Sequence, residues 1–340
     1  MDRSLELLEY VEKSALGIEI GPYHNPTVPK REGFNSISID VFDAEELRRR
    51  AADDPNIPQA SIAAIEDVDV VGSAVDLVDL VRAQYGAQRF AYIVSSHNFE
   101  HLPDPIRFLQ GCSELLEDGG VLTMAVPDRR FCFDYFRPAT ELSEWLEAFH
   151  ERRLQPTPAQ VFRGSHLKSS VSGVGAWMPG ETRTPEPDGQ LDTAFAAWSN
   201  TLVDSPDARP YVDTHCSAFT PASLELLIED LRYLGLLDLV PIRIAGPNGC
   251  EFYIHLRKSA GGAAEGSDTY HARRADLLRQ AAAEQIDPTI PRTNVTKLIA
   301  RRNELRQAVV SRARRYRVTG AALDAAKNVR DRVRKLNGGR

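Results

Sequence analysis

Five short apolar runs, separated by stretches of helical spacing, fill the first 126 residues, and that alternation leaves few folds open to the chain. The runs lie near 15–20, 36–41, 68–71, 89–95 and 119–126. Apolar on both faces, they read as parallel strands, and strands that alternate with helices assemble into a doubly wound α/β sheet. Such sheets bind ligands in the crevice outside the carboxyl ends of their strands, so the residues closing each run are the first place to look for chemistry.

The first run closes in ALGIEIGPYHNP, Ala15 to Pro26, where Glu19 and Gly21 lead into a turn. A glycine there lets backbone amides approach a ligand closely. The dinucleotide pattern G-x-G-x-x-G is missing, since Gly21 is followed by Pro22, Tyr23, His24, Asn25 and Pro26, which argues against a nicotinamide or flavin enzyme. The second run, SISID, closes in Asp40, roughly 20 residues past that turn, the offset at which an acid can accept both hydroxyl protons of a ribose. A helix cap is the other reading of Asp40. The third run leads into Val71, Gly72, Ser73 and Ala74, with Asp69 and Asp76 beside it as adenine-amine acceptors or as plain solvated acids.

The fourth run carries the densest chemistry, FAYIVSSHNFEHLPDP, with Ser95, Ser96 and His97 at its carboxyl end and Glu100 and His101 just beyond. A helix starting near Asn98 would give His97, Glu100 and His101 i, i+3, i+4 spacing and let them point the same way. Three readings stay open: a dipole-favoured Glu100 with a packed His101, a general base at His97 or His101, and a divalent-metal site made of all three.

SHNFEHLPDP followed by LLEDGGVLTMAVPD resembles the post-motif region of class I S-adenosylmethionine-dependent methyltransferases. Leu115, Leu116, Gly119, Gly120, Pro127 and Asp128 fit that pattern. EIGPYHNP further resembles an E-I-G-P-x-H-N-P subgroup met beside glycosyltransferases, which adds the RRFCFDYFRPAT and DTHCSAFTP segments found here. The resemblance covers about residues 13–258 and implies S-adenosylmethionine as cofactor. It makes Glu19 and Gly21 part of the methionine and ribose cradle and Asp40 the ribose-hydroxyl ligand. Ser96 and His97 would then border the methyl-transfer site.

Two positions depart from the family pattern. Tyr23 and Asn25 stand where the second and third glycines of E-x-G-x-G-x-G belong, which the subgroup tolerates. Phe90-Ala91 replaces the common F-D. Some quinone-type methyltransferases carry E-x-x-E-H where this chain has H-x-x-E-H, and there the acids resemble a magnesium site. Mg2+ held by His97, Glu100 and His101 is therefore an expectation to test.

The expected architecture is a mostly parallel, seven-stranded, Rossmann-like methyltransferase sheet in the order 3-2-1-4-5-7-6, over residues 1–258. LLDLVPIRIAGPNGCEFYIHLRK supplies its antiparallel edge as a hairpin turning at GPNG. FTPASLELLIEDLRYLGL before it, with Thr220 as cap and Pro221 at the first helical position, is a helix on that sheet. A long insertion after strand five, about 137–215, is where an acceptor would be covered. Asp128, Arg129, Asp134, Arg137 and His215 are candidates to bind it, with Arg130, Thr140, His166, Trp177 and Trp198 as further polar or stacking contacts. Exposed ion pairs and packed tryptophans are the alternatives.

Charge divides the chain. Residues 271–340 hold 18 Lys and Arg against 6 Asp and Glu, net +12, which leaves residues 1–270 at −19. A Gly- and Ala-rich linker is expected at 259–270, and beyond it a basic helical tail in which Leu298, Leu305 and Val309, then Ala326, Val329, Val333 and Leu336, fall at helical spacing. Such a tail can lie on an anionic membrane, meet an acidic protein partner or fold back on the acidic domain. Nucleic acid is not expected, since the tail offers only Tyr270 and Tyr316 near it for stacking. Four cysteines lie far apart without a C-x-x-C pair, and no run is long enough to span a bilayer, so a cytoplasmic enzyme is expected.

The chemistry this implies is methyl transfer to an oxygen nucleophile, with a sugar or glycan hydroxyl as acceptor and His97 taking the proton. The rivals are a nucleoside-binding scaffold recruited through its tail and a small-metabolite N- or C-methyltransferase. The fourth strand lacks the N-P-P-Y signature of amine methylation.

Overall fold

The structure is a computed structural model that describes residues 2–203, 209, 211–259 and 266–285. The expectations placed on Leu298, Leu305, Val309, Ala326, Val329, Val333 and Leu336 lie outside those residues.

Seven strands form the central sheet: β1 (Gly17–Ile20), β2 (Ser36–Asp40), β3 (Val70–Val71), β4 (Phe90–Ser96), β5 (Leu116–Pro127), β8 (Leu239–Asn248) and β9 (Glu251–Lys258). Their order is β3-β2-β1-β4-β5-β9-β8, which counted along the chain is the expected 3-2-1-4-5-7-6. The first five run parallel, and β9 pairs antiparallel with both β5 and β8. All four residues of β1 are buried, as a strand covered on both faces requires. Gly17 opens β1 because the ring of Tyr92 occupies the space a Cβ would need.

Helices α1 (Arg3–Leu7), α2 (Ala44–Ala52), α3 (Gln59–Ala63), α4 (Leu77–Tyr85) and α5 (Pro105–Leu115) belong to the first half of the chain. Asp104 caps α5 by accepting from the Arg107 amide, Pro105 sets its first turn, and Ile106, Phe108, Leu109, Cys112 and Leu115 enter the core. Burying a side chain of that size contributes about 1.5–3 kcal/mol. Helix α9 (Pro221–Tyr233) starts as expected, with Thr220 and Ser223 forming a reciprocal cap.

The insertion holds α6 (Leu142–Glu151), α7 (Pro158–His166), α8 (Leu191–Asn200) and a two-residue ribbon of β6 (Ser169–Ser170) with β7 (Glu186–Pro187). Part of it is core: Trp145 packs edge-on against Phe99 and Phe219 and donates to Ser217 Oγ at 3.0 Å.

Helix α10 (Ser267–Glu284) spans the boundary read at residue 271. It belongs to the same compact unit as the sheet, Met1–Asp287. Tyr270 stacks on Tyr233 and donates to Asp230, while Arg273 pairs with Glu225 and Arg274 with Asp230. The first turns of the basic segment thus pair with acids of α9. Among the described residues, no helix is long and apolar enough to cross a membrane.

Candidate active site

The chain proceeds outward from β1 to β2 and β3, then returns to β4 on the other side of β1, so the crevice opens where β1 and β4 lie side by side. Ile20 pairs with Ser95, which sets Gly21 next to the end of β4. Gly21 has a φ of +66°, and a Cβ there would sit 3.6 Å from Asn98 Cβ. The left-handed backbone calls for glycine, while the space beside it would admit a Cβ. Glu19 is buried beneath this turn and accepts from the amides of Thr27 and Val28, pinning the returning end of the loop. Burial pushes its carboxyl up to about 7. Glu19 thus ties the end of β1 to the loop at Thr27 and Val28.

Asp40 ends β2 at the same edge, mostly buried, and burial raises its carboxyl above the usual range. Its Oδ1 accepts from the Phe42 amide at a long 3.5 Å, and the Tyr23 and Val41 amides also lean on the carboxylate. In the intervening loop His24 Nδ1 is buried without a hydrogen-bond partner among the described residues. Left-handed glycine, terminal carboxylate and open imidazole nitrogen fit a nucleoside-bearing cofactor. Asp69 does not join them. Its carboxylate accepts from Ser38 N at 2.7 Å and from Lys30, so it ties β2 to the segment before β3 and is not aimed at an adenine.

Beyond β4 the chain forms only a short 3-10 turn, Phe99–His101, before α5. The helix expected from Asn98 is cut short by Pro103 and Pro105, each of which pushes its preceding residue away from helical backbone. His97 adopts a φ of +49°. Its Nε2 meets Glu251 at 2.7 Å and its Nδ1 lies 3.5 Å from Glu100. Burial alone would lower its pKa, but Glu100 and Glu251 outweigh that and lift it to about 9. Both carboxylates favour the charged ring, and the same direction holds at His101, where burial is outweighed by Asp213 and Glu100.

Glu100 is the centre of the arrangement. It is 1% exposed, and neither carboxylate oxygen has a hydrogen-bond partner among the described residues. His101 Nε2 stands 3.8 Å from it and His215 Nε2 3.9 Å. The other nitrogen of each ring is held by an acid, His101 Nδ1 by Asp213 at 2.8 Å and His215 Nδ1 by Asp134 at 2.5 Å. Residues 211–217 are brought here by backbone bonds from Cys216 and Ser217 to the Glu100 carbonyl, at 2.7 and 3.0 Å. The donor atoms of Glu100, His101 and His215 lie within 4.8 Å of one another. The expected metal trio is thereby redrawn: His215 takes the place of His97, whose ring turns to Glu251. A set with two imidazoles suits a nitrogen-binding ion, whereas Mg2+ takes oxygen ligands, so magnesium is not carried by this geometry.

The remaining candidates separate by burial. Asp134 and Arg137 are each 1% exposed and bonded to one another at 2.8 Å. They hold His215 in place and cannot themselves reach an acceptor. Asp128 is fully buried, caps Arg130 and pairs with its guanidinium at 2.5 Å. Arg129 donates to the Tyr135 carbonyl at 2.7 Å, while its buried Nε lacks a partner among the described residues. Of the proposed acceptor-binding group, His215 is the member of the cluster. Ser96 Oγ accepts from Arg3 at 2.5 Å, and Arg3 also pairs with Glu251 at 2.8 Å. Sequence reasoning missed Glu251 and Asp213, which meet His97 and His101 only through the fold, and Arg3, which joins Ser96 to Glu251.

A family model described as a methyltransferase domain matches residues 1–231. A comparison with curated proteins finds no match. Among solved structures, a methyltransferase from Methanosarcina mazei described as SAM-dependent is 15% identical, covering 74% of this chain and 95% of its own, at a TM-score of 0.36. The CcbJ methyltransferase from Streptomyces caelestis is 15% identical, covering 76% and 88%, at 0.39. A glycopeptide N-methyltransferase, MtfA, solved with S-adenosylmethionine, is 12% identical, covering 75% and 92%, at 0.35. The family match takes in more than half of the sequence and the strands that carry the crevice: the chain belongs to the methyltransferase-domain family.

Proposed function

We propose that this protein is an S-adenosylmethionine-dependent methyltransferase that methylates a sugar or glycan hydroxyl. The observation that carries the cofactor is the left-handed Gly21 turn set beside Asp40 at the point where β1 and β4 diverge. The cofactor supplies an electrophilic methyl on sulfur. The protein's part is to seat the ribose against Asp40, hold the acceptor oxygen in line, exclude water and receive one proton. His101 and His215 turn their Nε2 atoms toward Glu100, beside the end of β4. Each is backed by an acid on its far nitrogen, which fixes the tautomer that leaves Nε2 facing the cluster.

Support for a sugar comes from the insertion. A cavity of about 630 Å3 there is lined by Phe162, His166, Phe195 and Trp198, with Glu144 and Arg163 at its wall. Aromatic faces beside the Glu144–Arg163 ion pair, bonded at 2.5 Å, suit a ring with an apolar face and a hydroxyl rim. Calorimetric titration with S-adenosylhomocysteine tests the cofactor. Micromolar binding is expected, weakened about 100-fold or more in Asp40→Ala, since two hydrogen bonds to a charged group contribute about 1.5–3 kcal/mol each. Absence of binding by the intact protein would overturn the reading and favour a non-catalytic scaffold.

A further inference from the structure

We infer that Glu100, His101 and His215 bind a divalent transition-metal ion of the zinc class. The inference goes beyond the methyltransferase reading and stands without it. A buried, ionised carboxylate is costly unless paired and hydrogen-bonded, and Glu100, whose oxygens lack a hydrogen-bond partner among the described residues, is compensated only by surrounding imidazoles, His97 Nδ1 the nearest at 3.5 Å. The imidazole nitrogens that face it, at 3.8 and 3.9 Å, are too far away for hydrogen bonds. Those separations are close to what a shared ion needs. Ligands at about 2.0–2.1 Å from a tetrahedral zinc stand about 3.4 Å apart, so each imidazole would close on Glu100 by about half an ångström, within a set whose donor atoms all lie within 4.8 Å of one another.

The surroundings are those of a ligand set. A metal-bound histidine almost always gives its other ring nitrogen to a carboxylate or carbonyl, which fixes the tautomer and raises the basicity of the ligating nitrogen. His101 has Asp213 in that position and His215 has Asp134, itself anchored by Arg137. Two imidazoles and one carboxylate leave a fourth position open, as in catalytic zinc sites. An acceptor hydroxyl bound there would lose its proton more readily. His97 Nδ1 also faces Glu100, at 3.5 Å, but lies outside the group whose donor atoms all approach one another.

The test uses the full chain produced without a histidine tag. Metal content is measured by inductively coupled plasma mass spectrometry. Chelator-stripped protein is then titrated with Co2+, whose visible absorption reports direct nitrogen and oxygen coordination, and with Zn2+ as competitor. The expected result is about one equivalent of bound ion, a Co2+ spectrum abolished by Zn2+ but not by Mg2+, and an affinity loss of about 100-fold or more in Glu100→Gln, His101→Asn and His215→Asn. His101 is partly exposed, so His101→Asn keeps the test decisive if a buried variant fails to fold. A wild-type protein that gives no Co2+ spectrum, or a spectrum that survives all three substitutions, overturns the site. Stripped protein that still binds S-adenosylhomocysteine separates failure of this site from failure of the cofactor reading.

Discussion

Replacing Arg137 by Met would strand a charge that the fold has buried. Arg137 and Asp134 are each 1% exposed, their bond is 2.8 Å long, and the second oxygen of Asp134 holds His215 at 2.5 Å. His215 and Arg137 keep the Asp134 carboxyl below its usual range despite burial, so at neutral pH it is an anion inside the protein. Removing one partner of a buried pair costs about 3–5 kcal/mol. His215 still shares the charge, which puts Arg137→Met at the lower end, about 3 kcal/mol and a melting temperature lower by about 6 °C or somewhat more. Urea denaturation should show a lower midpoint at an unchanged slope. Adding Asp134→Leu should recover part of the loss, because no charge is then left uncompensated. A loss below about 1 kcal/mol would mean that water reaches Asp134. Additive losses in the double variant would mean that the two groups do not act as a pair.

Two further outcomes follow from other packed positions. His255 is fully buried and held at about 4, first by desolvation and then by the Arg243 charge. Its folded value lies below the unfolded one near 6.5, so its contribution to stability is intact above pH 6.5 and fades as the pH falls toward 4, by up to about 3 kcal/mol. His255→Gln should flatten that part of a stability-against-pH curve, and an unaltered curve would refute the assignment. At Gly17 a Cβ would lie 2.1 Å from the Tyr92 ring, so Gly17→Ala should destabilise by about 1–3 kcal/mol through overpacking. An unchanged denaturation midpoint would show that the ring moves aside freely.

What the sequence made legible was whatever is encoded by neighbours along the chain. The apolar runs gave five strands, the methyltransferase resemblance implied their order, GPNG gave the hairpin of β8 and β9, and Thr220-Pro221 gave the start of α9. Gly21 and Asp40 were legible because the ends of parallel strands are defined locally. The histidine cluster was not. His97, Glu100 and His101 read as one helical face, but the prolines shorten the helix and the left-handed backbone at His97 turns its ring toward Glu251, 154 positions away. Asp134, Asp213 and His215 arrive from the insertion and its return, and no local period announces such convergence. Charge composition likewise suggested a separate tail from residue 271, whereas Tyr270, Arg273 and Arg274 pack on α9.

The two acids behind His101 and His215 separate a metal site from a plain ion-pair network. Asp213 is 67% exposed, so its pairing with His101 contributes little to stability, and Asp213→Asn should leave the denaturation midpoint within about 0.5 kcal/mol of the parent. Asp134 is buried and balances Arg137, so Asp134→Asn should cost about 3 kcal/mol. If the histidines serve a metal, both substitutions act on the ligating nitrogen in the same way, by weakening the partner that orients the ring, and each should lower Co2+ affinity about 10- to 100-fold. Stability and affinity would then part company at Asp213 and fall together at Asp134. A network with no ion predicts the opposite at the exposed position, since a solvated pair with nothing to orient has nothing further to lose. Unchanged Co2+ affinity in Asp213→Asn would therefore mean that His101 is not a ligand, whatever the buried half of the cluster does.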